Sequence, residues 1–204
     1  MIKRTFDFTL AVFALFWLWP LILLIAVWIC VQSPGPVFYR GVRSGLDGKP
    51  FRIFKFRTMV VDAEKLGGPS TALNDPRITP SGKFLRKYKL DELPQLFNIL
   101  VGEMSFVGPR PQVQEYTRRY NDEEKIILSV KPGLTDYASI KFINLDQLLG
   151  DHYVDEKYLR EIEPEKNRLR IEYAKNNSFA IDLKILLATF VQTFSLRTIW
   201  NSGN

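Results

Sequence analysis

Leu10-Ala11-Val12-Phe13-Ala14-Leu15-Phe16-Trp17-Leu18-Trp19-Pro20-Leu21-Ile22-Leu23-Leu24-Ile25-Ala26-Val27-Trp28-Ile29-Cys30-Val31 is an unbroken apolar run of 22 residues. No charged side chain lies between Asp7 and Arg40. About 20 residues of helix cross a bilayer core, so length alone permits a span. Two features point instead to a helix that enters the membrane and returns. Pro20 sits near the middle, where its missing N–H frees the carbonyl of Phe16 and its ring crowds that turn. Both flanks are basic, with Lys3 and Arg4 before the run and Arg40, Arg43 and Lys49 after it. Lys and Arg favour the cytoplasmic side, and a dip bent at Pro20 keeps both flanks there. A kinked helix that crosses once also tolerates a proline, so the residues leave both geometries open. A cleaved leader fits less well, because the run is long and Ser33-Pro34-Gly35-Pro36 is a poor cleavage site.

The charge outside this run is unevenly placed. The 204 residues carry a net charge of +6, all of it within residues 1–60, which hold eight basic and two acidic side chains. Such an excess suits anionic lipid, phosphate or nucleic acid. A 46% hydrophobic and 13% aromatic composition excludes a disordered chain. One cysteine, Cys30, and one histidine, His152, exclude a disulfide framework and a Cys/His zinc site within the chain. No nucleophile motif surrounds His152, and neither GxxxxGK[ST] nor GxGxxG occurs. If the chain is an enzyme, its polar chemistry comes from carboxylates, Lys and Arg, with or without a hard metal.

The expected fold is mainly α with a small β-hairpin: a membrane-anchoring helical segment over 1–34, bent at Pro20 in either geometry, and a compact helical domain over 35–204. Val37–Val42 and Phe51–Arg57 read as strands around Ser44-Gly45-Leu46-Asp47-Gly48. Loops are expected at Gly67-Gly68-Pro69-Ser70 and Asn74-Asp75-Pro76-Arg77. Helical patterning covers Gly82–Lys89, Glu92–Leu100, Gln112–Ser129, Asp155–Ile162, Glu165–Lys175 and Phe179–Thr198, with Pro164 separating the fourth and fifth.

The segment Arg86-Lys87-Tyr88-Lys89-Leu90-Asp91-Glu92-Leu93-Pro94 places adjacent carboxylates after three cations. Asp91 suits an N-cap and Glu92 a first turn, which is one account of the pair. The other is a carboxylate nucleophile, which would form an acyl phosphate on attacking phosphorus. Paired carboxylates repel each other and an incoming diphosphate, so a divalent cation such as Mg²⁺, held by Asp91 and Glu92, would accompany that chemistry. Lys55 and Arg57, interleaved with phenylalanines, either rest on anionic headgroups or face a phosphorylated substrate. Arg110, fixed between Pro109 and Pro111, suits phosphate recognition or a salt bridge, as do Arg77 and Arg86.

Several segments together resemble the small monotopic phosphoglycosyl transferases of bacteria. They are Lys3-Arg4-Thr5-Phe6-Asp7, Gly35-Pro36-Val37-Phe38-Tyr39-Arg40, Lys55-Phe56-Arg57-Thr58-Met59 and Pro76-Arg77-Ile78-Thr79. Leu90-Asp91-Glu92-Leu93-Pro94-Gln95-Leu96-Phe97-Asn98, residues 102–111, Lys131-Pro132-Gly133-Leu134-Thr135 and residues 177–184 complete the set. The resemblance implies transfer of a sugar-1-phosphate from a UDP-sugar to undecaprenyl phosphate with release of UMP, in two ping-pong steps with Mg²⁺. It makes Asp91 the nucleophile and Glu92 its assistant through the metal, and puts Lys55, Arg86 and Arg110 at the active site. It also implies a re-entrant, proline-broken anchor at the cytoplasmic face of the inner membrane, a product that begins a surface glycoconjugate, downstream glycosyl transferases as partners, and no nucleic acid. The chain departs from the family's usual pattern at Trp19, where Ser is common before the proline, and at Asp136–Ile143, where the family often has a different stretch. Two other classes make different predictions. A non-catalytic membrane scaffold binding anionic lipid or nucleic acid would tolerate Asp91→Asn, and an ordinary glycosyl transferase would release UDP.

Overall fold

A computed structural model of the chain describes residues 1–67, 71, 74–143, 145, 148 and 154–201. The loop expected from Gly67 lies outside these residues from Gly68 on, as does His152. The architecture is mainly helical with small sheets, as the sequence suggests.

The apolar run forms helix α1, Ile2–Gln32, with Pro20 inside it. By length and composition α1 can cross a membrane. Helical hydrogen bonding continues through the proline, so the segments on either side of Pro20 belong to one helix. Proline removes a single N–H, and the long apolar stretches on either side keep the helix going. Most of α1 is exposed and apolar, including Phe13, Phe16, Trp17, Trp19, Leu23, Leu24 and Val27, and only Asp7, Ala11, Ile25 and Ile29 are buried.

Both ends of α1 are tied to the rest of the molecule. Near the start, the Lys3 ammonium donates to Asp182 Oδ2 at 2.5 Å and to the Val107 carbonyl at 2.9 Å. The Arg4 guanidinium donates to the carbonyls of Ile99 and Leu100, and buried Asp7 accepts from the Phe106 N–H. Ala11 joins a core with Phe51, Ile53, Leu96, Ile99, Met104, Phe106 and Tyr173. Near the end, Ile25 and Ile29 form a second core with Phe56 and Leu85.

After α1 comes an antiparallel ribbon in two parts. Strand β1 (Phe38–Tyr39) pairs with β4 (Lys55–Phe56), and β2 (Val42–Ser44) with β3 (Pro50–Arg52), around the glycine-bearing loop the sequence indicates. Helix α2 (Pro80–Lys87) and α3 (Gln95–Val101) follow, then β5 (Ser105–Val107), which pairs in parallel with β6 (Gly133–Thr135). The expected single helix over Gln112–Ser129 is instead a short α4 (Gln114–Thr117) and a 3₁₀ segment, Glu124–Ser129. Asn121 and Glu124 cap each other's backbone N–H groups at 2.9 and 3.0 Å, and this reciprocal box starts a new turn instead of extending the old one. Helix α5 (Tyr137–Lys141) comes next. The two helices expected on either side of Pro164 are joined: α6 (Val154–Lys157) passes through a π turn, Tyr158–Ile162, into α7 (Glu163–Asn176). Pro164 stands just past the π turn, so its missing N–H falls where the winding of the helix changes. Helix α8, Phe179–Asn201, closes the chain.

Candidate active site

Lys89 adopts a left-handed conformation (φ 56°) that ends α2 and turns the chain into a 3₁₀ turn, Leu90–Glu92. Leu90 and Leu93 pack on the core formed with Ile25 and Ile29 of α1. Asp91 and Glu92 are thus held between two residues seated against the apolar helix. The capping role open to Asp91 is not taken: neither this turn nor α3 carries a side-chain cap bond.

The two carboxylates have different surroundings. Glu92 Oε1 accepts from the Lys55 ammonium at 3.1 Å, and Arg110 grips both Glu92 oxygens, with Nη1–Oε2 at 3.1 Å. Burial alone would push the Glu92 carboxyl up, but Arg110 and Lys55 outweigh it and hold it well below the usual carboxylate range. Arg110 is in turn raised by Glu92. Asp91 is 7% exposed; its Oδ2 lies 3.9 Å from Lys55 Nζ, and its Oδ1 has no hydrogen-bond partner among the described residues. Burial raises the Asp91 pKa, against the pull of Lys55. Burial also lowers Lys55, opposed chiefly by Glu92. The pair therefore consists of a locked anion and a desolvated, more basic carboxylate with one bare oxygen. Pushing apart two adjacent carboxylates is how a site assigns them separate tasks.

The structure brings Asp91, Glu92, Lys55 and Arg110 together, and Arg86 lies close enough to act electrostatically on Asp91. It sends Arg57 and Arg77 elsewhere. Arg57 is buried and donates to the carbonyls of Ser33 and Pro34 at 2.5 and 2.7 Å, binding the segment that leaves α1. Arg77 is in a fork with Asp75, Nη2–Oδ2 at 2.6 Å, and holds that carboxyl low.

Sequence reasoning gave no role to the residues that position these groups. Asn98 is fully buried; its Oδ1 accepts from the Phe54 N–H at 2.8 Å, and its Nδ2 donates to the Arg52 carbonyl and to Glu103. It thereby fixes the stretch that leads into Lys55. Its signal was a polar residue inside the apolar run of α3. Asp136 accepts from the Arg110 N–H at 3.2 Å and caps α5 through Ser139 N–H at 2.6 Å. Buried Arg170 sits 3.9 Å from it. The Asp136-to-Ser139 spacing was the signal for the cap; nothing local announced the bond to Arg110. Gly133 lets β6 approach here: a Cβ on it would meet Gly108 N at 2.1 Å. This crossing sets the base of the Gly108-Pro109-Arg110 segment.

For Mg²⁺, the bare Asp91 oxygen fits a hard cation that takes its other ligands from water and phosphate. Glu92 offers little more, since both of its oxygens already accept charged donors. Among the described residues no group of three or more Asp, Glu, His or Cys could enclose a metal. The donor set fits an ion that arrives with a phosphorylated substrate rather than one caged by the protein.

A family model described as bacterial sugar transferase matches residues 1–196. The chain is 39% identical to a UDP-glucose:undecaprenyl-phosphate glucose-1-phosphate transferase of Xanthomonas campestris pv. campestris, over 97% of this chain and 40% of that protein. It is 35% identical to a UDP-N-acetylgalactosamine-undecaprenyl-phosphate N-acetylgalactosaminephosphotransferase of Aeromonas hydrophila, over 92% of this chain and 42% of that one. An uncharacterized sugar transferase of Bacillus subtilis is 37% identical, over 93% of this chain and 85% of its own length. The chain thus spans well under half of the first two and most of the third.

Proposed function

The chain belongs to the bacterial sugar transferase family, and from that premise we propose that it moves a sugar-1-phosphate from a UDP-sugar, a UDP-N-acetylhexosamine or a related donor, to undecaprenyl phosphate, releasing UMP. The observation that carries this reading is the asymmetric pair: bare Asp91 Oδ1 beside a Glu92 locked by Lys55 and Arg110. In the first step a carboxylate oxygen of Asp91 attacks the phosphorus that bears the sugar. The P–O bond to the uridine-bearing phosphate breaks, UMP leaves, and the sugar phosphate remains as an acyl phosphate on Asp91. In the second step a phosphate oxygen of undecaprenyl phosphate attacks the same phosphorus, forming the diphosphate and returning the Asp91 carboxylate. Desolvation and a raised pKa make Asp91 a better nucleophile than a water-exposed aspartate. Arg110, about a third exposed along its side chain, has surface left to meet phosphate oxygens while it holds Glu92. Mg²⁺ that arrives with the diphosphate and meets the protein chiefly at Asp91, Glu92 being already held by Lys55 and Arg110, would neutralise diphosphate charge. The product is the lipid-linked sugar that further glycosyl transferases extend into a surface glycoconjugate.

The same reading places the enzyme on the cytoplasmic face of the inner membrane without crossing it. A single crossing would leave the ends of α1 on opposite sides, yet Lys3 and Arg4 at one end and Ile29 and Gln32 at the other bind the same body. The apolar middle of α1 is the part left for lipid.

The test is nucleotide release by the full chain with Mg²⁺, undecaprenyl phosphate and a panel of UDP-sugars. UMP release that disappears in Asp91→Asn, with a sugar-phosphate adduct on Asp91 seen by mass spectrometry, is the expected result. Release of UDP, or UMP release that survives Asp91→Asn, would overturn the mechanism. For topology, cysteines placed beside Lys3 and beyond Gln32 in a Cys30→Ser background should both be labelled from the cytoplasmic side only.

A further inference from the structure

From the rings beside the catalytic turn, with Trp28 half-buried at its root and Phe84 and Tyr88 exposed, we propose that these three form the track on which the isoprenoid chain of the acceptor lies, leading it from the apolar face of α1 to Asp91. The inference rests on the acceptor class proposed above and adds where that acceptor binds. Trp28 of α1 meets Phe84 of α2 edge-on, with ring centroids 5.6 Å apart, and Phe84 meets Tyr88 at 4.7 Å. Phe84 and Tyr88 stand one helical turn apart on α2, and they are 46% and 38% exposed. On α1, exposed Leu24 and Val31 flank Trp28 at i−4 and i+3, so the apolar face of α1 continues into the rings without a polar break. Soluble surfaces seldom leave such a patch uncovered without a use for it.

The far end of the track is cationic and close to the reacting group. Tyr88 is the C-terminal cap of α2 and precedes Asp91 by three residues. The Lys87 ammonium lies over the Tyr88 ring, 5.6 Å from its centroid. Arg86 acts electrostatically on Asp91, and Lys89 on Glu92. An apolar path that comes off a lipid-facing helix and ends in Arg86 and Lys89 beside the carboxylate pair matches one molecule in this reaction: a long hydrocarbon chain carrying a phosphate. The UDP-sugar is polar along its whole length and has no use for an aromatic strip. Unbranched acyl lipids match the apolar part but carry no phosphate that this reaction consumes.

The full chain in nanodiscs is assayed with undecaprenyl phosphate and with a two-isoprene phosphate that is too short to cover the rings. Phe84→Ser is expected to raise the KM for undecaprenyl phosphate about tenfold, the effect of losing one apolar anchor. Phe84→Leu should recover most of that loss. The short acceptor should be affected much less, and the KM for UDP-sugar and the rate of adduct formation on Asp91 without acceptor should stay as in the unaltered chain. An acceptor KM that does not move, or an equal loss with both acceptors and in adduct formation, would overturn the proposal. A second readout uses the unaltered chain and an undecaprenyl phosphate with a photoreactive group in its first isoprene units. Cross-links on residues 80–89 support the track, and cross-links confined to the exposed Leu187, Phe190 and Val191 face of α8 refute it. An unaltered chain that forms no adduct and releases no UMP would count against the reaction, while the cross-link pattern would still report on the track.

Discussion

Replacing Glu92 by glutamine and, separately, Asp91 by asparagine is expected to move thermal stability in opposite directions. Glu92 Oε1 accepts from Lys55 at 3.1 Å and both its oxygens accept from Arg110, with the Glu92 side chain 12% exposed. Removing one member of a buried charge pair costs about 3–5 kcal/mol, because the partners stay charged and unpaired. Lys55 and Arg110 keep 22% and 34% of their side-chain surface, so water re-solvates part of what is lost. We therefore place the cost nearer ~2 kcal/mol, a fall of about 4–8 °C in Tm for a chain of this size. Asp91 behaves in the opposite way. Burial raises its folded-state pKa above the unfolded value, so the unfolded chain gives up this proton first as pH rises. Stability then falls from about pH 3.9 up to the folded pKa and stays lower beyond it. Asp91→Asn removes that charge and should raise Tm at neutral pH while abolishing transfer. The sign is reversed for Glu92, whose depressed folded pKa gives stability that is complete above about pH 4.3 and is lost as pH falls through the folded value. Scanning fluorimetry of the detergent-purified full chain at neutral pH reads both. A drop in Tm of similar size in both variants, or no change in Glu92→Gln, would refute the division of the pair into a locked anion and a strained one.

Arg110→Lys keeps the charge but loses the planar fork on Glu92; adduct formation on Asp91 should slow by about 10–100-fold, and an unchanged rate would mean that the fork does nothing beyond supply charge. Asn98→Ala leaves the Phe54 N–H and the Arg52 carbonyl without their partner, and a loss of about 2–4 kcal/mol measured by denaturant titration is expected. Ile29→Ala, at a fully buried position of α1, should cost about 2–4 kcal/mol and slow transfer even to a short, soluble acceptor; full activity with that acceptor would reduce α1 to a tether. Chelation of divalent cations should stop UMP release and added Mg²⁺ should restore it, whereas undiminished release would remove the metal from the reaction.

What the sequence made legible was local. The ribbon of residues 37–57 announced itself through its glycine-bearing loop, the last helix through its apolar period, and the carboxylate pair through adjacency and the cations before it. Misreadings arose where a remote contact or a competing local bond decides the outcome. Lys55 and Arg57 have strand-like spacing that suggests a shared target, but β4 ends at Phe56 and the alternation with it. Arg57 then meets carbonyls more than twenty residues earlier, at Ser33 and Pro34. The β5–β6 pair joins Ser105 to Gly133 in parallel, a pairing no hairpin signal could indicate. Residues 112–129 carry helical periodicity, yet the Asn121–Glu124 box breaks it for the cost of two side-chain bonds. Arg77 had a local answer, since Asp75 stands two residues away in an Asp-Pro-Arg turn that suits a fork.

The arrangement of cores explains why an enzyme joining a soluble donor to a lipid would be built this way. A membrane anchor that served only as a tether could end in a flexible linker and leave the catalytic body free to rotate against the bilayer. Here the second half of α1 is part of the core on which the Asp91–Glu92 turn rests. Ile25 and Ile29 pack with Phe56, the residue after Lys55, and with Leu85, while Leu90 and Leu93 on either side of the carboxylate pair rest on the same cluster. The lysine that pairs with Glu92, the turn that holds Asp91 and the helix that meets lipid are thus fixed to one another by apolar contacts rather than by a linker. Close-packed cores do not deform continuously, so this shared cluster sets the height of Asp91 above the apolar face of α1. The phosphate of a polyprenyl acceptor such as the one proposed would be held at headgroup level by its own hydrocarbon chain. On the proposed reaction, Asp91 and the acceptor phosphate would therefore meet at a fixed depth, and the entropy of bringing them together would be removed when the protein folds rather than at each turnover.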